Sequence, residues 1–90
     1  MPQLVVLIVE DEALLRMDAV DMVTDAGHIA IEASNADEAI AFLETRSDIT
    51  AVFTDMEMPG SMDGIRLAHA IRDRWPPVTV VAASGRIKPG

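Results

Sequence analysis

"LVVLIVEDE", residues 4–12, is six apolar residues running straight into three acids. An apolar run of strand length without polar alternation suits a strand buried on both faces, as in a parallel sheet covered by helices. Three more stretches have strand length: "IAIEA" (29–33), "TAVFT" (50–54) and "VTVVAAS" (78–84), the last nearly as apolar as the first. Segments with helical period lie between them. Leu15, Ala19, Met22, Val23 and Ala26 form one stripe, Ala36, Ala39, Ile40 and Leu43 a second, and Ile65, Ala68 and Ile71 a third.

The punctuation agrees with this alternation. Asn35 followed three residues later by Glu38 has the form of a capping box. Gly27 is suited to end the first helix, and the third should stop before Trp75-Pro76-Pro77, because proline disfavours helical backbone in the residue before it. The order βαβαβαβ therefore predicts an α/β fold, a doubly wound parallel sheet with right-handed crossovers.

Ninety residues form one small core, and 50% apolar against 24% charged residues excludes a disordered chain. No apolar run approaches the roughly 20 residues of a membrane span. Residues 4–9 are not preceded by a basic region, so they are not read as a signal peptide. The absence of cysteine removes disulfide and thiolate chemistry and fits a cytoplasmic compartment. Fifteen acids against seven Lys and Arg give a net charge of −8, which speaks against direct binding to nucleic acid. Asp18, Asp21 and Asp25, opposite the first stripe, read as solvated helix face.

The acids that end strands are a different matter. Ligands bind open parallel sheets at the carboxyl ends of the strands, where strand order reverses. If the order is 2-1-3-4, Glu10 and Asp11 after the first strand converge with Asp55 after the third. Three carboxylates together repel, and a hard divalent cation such as Mg²⁺ relieves that repulsion. Beside Mg²⁺, Asp55 is suited to attack a phosphoryl group and form an aspartyl phosphate. Taken singly, Asp11 is equally a helix N-cap.

With these residues in place the chain resembles a response-regulator receiver domain, the phospho-accepting half of bacterial two-component signalling. The resemblance is carried by "VLIVEDE", "VFTDMEMPGSMDG" and "VVAASG", which together with their spacing span nearly the whole chain. It implies a flavodoxin-like sheet in the order 2-1-3-4. It implies that Asp55 takes a phosphoryl group from a histidine kinase or phosphotransfer protein, with Mg²⁺ held by Glu10, Asp11, Asp55 and the main-chain carbonyl of Glu57. Ser84 resembles the switch hydroxyl, and Gly85 would offer a backbone N–H to the phosphoryl group; in the alternative register Ala83 takes the switch position. The same resemblance makes the domain, residues 1–90, incomplete at its C-terminus, lacking the fifth strand and last helices.

Some departures from the family pattern carry expectations of their own. Gly60-Ser61-Met62 lengthens the loop after the acceptor by one residue, as in a subgroup of receivers. Lys88-Pro89 repeats a family dipeptide but follows Ser84 by only four residues, so Lys88 is not given the family lysine's role. Glu57 and Arg86 are expected to pair across the pocket mouth and slow hydrolysis, the bland reading being two side chains in solvent. The exposed fourth strand would be prone to homodimer formation or strand swapping. Two other readings compete with the phospho-acceptor: a pseudo-receiver or truncated interaction module that binds partners without phosphorylation, and an aspartate-nucleophile phosphatase. The phosphatase is disfavoured by Asp55-Met56-Glu57 where that chemistry uses Asp-x-Asp.

Overall fold

The computed structural model describes residues 2–55 and 64–83, with Asp55, Ala82 and Ala83 described through their backbone alone. The elements are β1 (Val5–Val9), α1 (Ala13–Asp25), β2 (Ile29–Ala33), α2 (Ala36–Thr45), β3 (Ala51–Asp55), α3 (Gly64–Arg74) and β4 (Thr79–Ala83). Each strand lies within one residue of the apolar run that predicts it. The four strands form one parallel sheet in the order β2-β1-β3-β4, as expected.

Strand register sorts the side chains into two faces. Val6 pairs with Ala30 and Ala51, Ile8 with Glu32 and Phe53, and Phe53 with Val81, so these residues share one face. Leu7, Val9, Ala33 and Val52 occupy the other. There they pack with Ala36, Ala39 and Leu43 of α2, with Ile49, and with Leu67 and Ile71 of α3, none more than 5% exposed. Right-handed crossovers explain the division. The connection through α1 runs from β1 toward β2, whereas those through α2 and α3 run the opposite way, which places α1 on the opposite face of the sheet.

Three expectations need correction. No residue of α1 is buried, and Met22 and Ala26, both placed in its apolar stripe, are exposed. The half-buried residues are Leu15, Arg16, Ala19, Val20 and Val23, so the stripe is turned toward Val20. In α3, Ile65 is 48% exposed and Leu67 is buried in its place. Spacing from Gly64 through Leu67 to Ile71 keeps one face toward the sheet, while Ile65 sits about 100° further round the helix. Finally, β4 is not sealed on both faces, for Thr79 and Val81 are exposed. Among the described residues β4 has β3 on one side and no strand on the other, and α1 packs over β1 and β2 at the far side of the sheet. That open edge is the one on which the expectation of pairing or swapping rests.

The connections are closed by local hydrogen bonds. After α1, the His28 N–H donates to the Val23 carbonyl (3.1 Å) and the Gly27 N–H to that of Thr24 (3.0 Å), a Schellman turn with Gly27 at φ 89°. Before α2, Asn35 Oδ1 accepts from the Glu38 N–H at 2.8 Å, as the capping box predicts. Its reciprocal arm differs, because Glu38 Oε1 accepts from the N–H (2.7 Å) and hydroxyl (2.9 Å) of Ser34.

Candidate functional site

β1 and β3 lie side by side at the centre of the sheet, yet the chain leaves them in opposite directions, from β1 to β2 and from β3 to β4. A crevice at the carboxyl ends is the consequence of such a reversal. Val9 is in register with Thr54, and the next residues are Glu10 and Asp55. With neighbouring strands about 4.8 Å apart, these two acids occupy adjacent backbone positions at the crevice. Asp11 follows on the turn into α1 and is exposed. Asp55 keeps its backbone in the ladder opposite Ala83.

Glu10 is 7% exposed, and several hydrogen bonds hold it. Its N–H donates to the Ala33 carbonyl at 3.0 Å, and its carboxylate Oε2 accepts from the Glu12 N–H at 2.9 Å. A further bond joins its main-chain carbonyl, as acceptor, to Arg16 Nη1 at 2.8 Å. A carboxylate so little exposed is tolerable because it is hydrogen-bonded. Glu12 is the N-cap of α1, although its side chain makes no capping bond. Arg16 also pairs with Glu32 of β2, Nε to Oε1 at 3.2 Å, and its side chain is only 20% exposed.

Of the residues singled out in the sequence, Glu10, Asp11 and the backbone of Asp55 are thus brought to one crevice. Glu57, Ser84, Gly85, Arg86 and Lys88 lie outside the described residues, as does the loop of Gly60-Ser61-Met62. Among the described residues no three His, Asp or Glu side chains form a metal-sized cluster, Asp55 entering only by its backbone. The donor set nevertheless has the chemistry of a hard-cation site, with carboxylates on adjacent strand ends and no nitrogen or sulfur donor among them.

Arg16 is the residue of this region that the sequence reading misses. Its signal was available, since it is the single base in thirteen residues of α1, four after Glu12 and six after Glu10. At the amino ends of the strands a cavity of about 460 Å³ is lined by Leu43, Arg46, Ile49, Trp75 and Val78 among others. Arg74 covers the Trp75 ring at 4.4 Å and pairs with Glu44 at 2.8 Å. That end of the sheet bears none of the acids placed at the crevice.

Residues 6–89 match the model of the response regulator receiver domain. The chain belongs to that family. It is similar to the response regulator protein FleR of Pseudomonas aeruginosa, with 37% identity over 84 residues, covering 91% of this chain and 17% of FleR. It is 40% identical over 80 residues to the transcriptional regulatory protein PdtaR of Mycobacterium tuberculosis, covering 87% of this chain and 38% of PdtaR. The receiver therefore spans less than two fifths of either relative. Among solved structures, a response regulator receiver protein from Pseudomonas putida superposes with a TM-score of 0.84 at 26% identity, covering 98% of this chain and 73% of that one. The response regulator TrrA of Thermotoga maritima, solved in complex with Mg²⁺-BeF, gives 0.80 at 26% identity, covering 87% and 66%. The receiver fold of two-component signalling is thus established for this chain. No described helix is long and apolar enough to cross a membrane.

Proposed function

We propose that this receiver accepts a phosphoryl group on Asp55 from a histidine kinase or phosphotransfer protein. In the proposed step a carboxylate oxygen of Asp55 attacks phosphorus while the bond from phosphorus to the donor's imidazole nitrogen breaks, and the imidazole leaves with its electron pair. Glu10, Asp11, Asp55 and the main-chain carbonyl of Glu57 would hold Mg²⁺. That ion, when bound, neutralises charge on the phosphoryl oxygens. Ser84 would donate its hydroxyl and Gly85 its N–H to the transferred group. The chain acts as a signalling module and not as an enzyme on other substrates.

The observation that carries the reading is the register of Val9 with Thr54, which sets Glu10 beside Asp55 at the reversal of strand order. The likeness to TrrA, solved with Mg²⁺-BeF, supports the metal and the phosphoryl site. Similarity to the sensor kinase CckA of Brucella abortus, 33% identical over 81 residues, supports a kinase-linked pathway. The test is incubation with Mg²⁺ and acetyl phosphate, followed by intact mass. A phosphoryl adduct on the wild type that is absent from Asp55→Asn is the expected result. No adduct on folded wild type that binds Mg²⁺ would sink the reading in favour of a module that binds partners without phosphorylation.

A further inference from the structure

Arg16 makes a clasp across the carboxyl ends of two strands. From α1 its guanidinium donates to the Glu10 carbonyl at the end of β1 (2.8 Å) and to the Glu32 carboxylate on β2 (3.2 Å). Its positive charge also helps to hold the Glu38 carboxyl at the start of α2 below its ordinary pKa, behind the larger effect of the Ser34 hydrogen bonds. A planar fork of donors is suited to span such separate acceptors. Asp11 sits on the turn between Glu10 and α1, so fixing the Glu10 carbonyl also fixes where that turn begins.

We infer that Arg16 is a positioning residue for the acidic site, holding the turn that bears Glu10 and Asp11 in a geometry ready for a divalent cation. This rests on the reading of Glu10, Asp11 and Asp55 as the Mg²⁺ ligands. Two physical effects of removing Arg16 have opposite signs. Loss of a cation makes the crevice more negative and by charge alone tightens Mg²⁺ binding. Loss of the clasp frees the turn, lets the acids move apart and weakens binding. Groups that orient metal ligands from outside the coordination shell commonly change metal affinity by about 10- to 100-fold, enough to outweigh a partly solvated charge.

The experiment is Mg²⁺ titration by calorimetry on wild type, Arg16→Gln, Arg16→Lys and Glu32→Gln, with circular dichroism to establish folding. Arg16→Gln should bind Mg²⁺ about tenfold more weakly. Arg16→Lys, which keeps the charge but lacks the fork, should fall between it and wild type. Glu32→Gln, which keeps the bond to Glu10, should bind like wild type. Unchanged or tighter binding in folded Arg16→Gln overturns the inference. If Arg16→Gln does not fold, Arg16→Lys decides: weaker binding supports the clasp and wild-type affinity overturns it. Wild type that does not bind Mg²⁺ sinks the phospho-acceptor site and the clasp with it, whereas normal wild-type binding with an unaffected Arg16→Gln sinks the clasp alone.

Discussion

Glu38 ties two backbone segments together with one carboxylate. Its Oε1 accepts from both the N–H and the hydroxyl of Ser34, while its own N–H is capped by Asn35. The Ser34 N–H bond, then the hydroxyl, hold its carboxyl below the ordinary value of 4.5. A group whose pKa is depressed on folding contributes stability above its unfolded pKa and loses it as pH falls through the folded one. Glu38→Gln should therefore unfold at lower urea than wild type at pH 7, and the gap should narrow as pH drops below about 4.5. A gap independent of pH would show that charge at Glu38 is not what holds the turn. Residues of this kind were half legible in the sequence. Asn35 and Glu38 announce a cap by spacing, but the switch of partner to Ser34 depends on backbone direction that no spacing specifies. Arg16 stands out as the single base of α1, but its partners could not be read from spacing, because one is a carboxylate on β2 and the other the main-chain carbonyl that follows β1.

At the scale of elements, the end of α1 rests on a single backbone conformation. Gly27 has φ 89°, and a β-carbon built there would meet nothing within 4 Å. Crowding therefore plays no part, and Gly27→Ala should destabilise through left-handed strain alone, by about 1–2 kcal/mol. Gly27→Asn should cost less, since Asn tolerates this region better. Equal losses in the two variants, measured by urea unfolding, would show that something other than backbone strain limits the turn. Strands were the most legible elements, as a short continuous apolar run bounded by acids and turn residues is too brief for a helix and suits a buried strand. Helix faces were less so. In α3 the stripe read from the sequence starts at Ile65, whereas the buried face runs through Gly64, Leu67 and Ile71, because helical spacing alone does not say which of two neighbouring apolar rows turns to the sheet. In the site, strand ends and strand order let the sequence anticipate that Glu10 and the backbone of Asp55 would lie at adjacent positions.

Across the whole molecule the two faces of the sheet are covered unequally. On one face α2 and α3 seal Leu7, Val9 and Val52 to complete burial, with Leu67 and Ile71 among them. On the other, α1 packs over β1 and β2 with no buried residue of its own, and Val81 at the far edge is 46% exposed. Cohesion should therefore be concentrated on the α2–α3 side. Removing atoms from a closed core costs both the lost burial and the cavity left behind, whereas an exposed side chain leaves neither. Leu67→Ala should lower unfolding free energy by about 2–5 kcal/mol. Met22→Ala, at a position 65% exposed, should stay within about 0.5 kcal/mol of wild type. Urea unfolding followed through Trp75, which packs against the α2–α3 core, reads both variants. Comparable losses at the two positions would mean that an exposed side chain of α1 contributes as much as a sealed one on the opposite face, and the unequal covering of the sheet would then have no energetic counterpart.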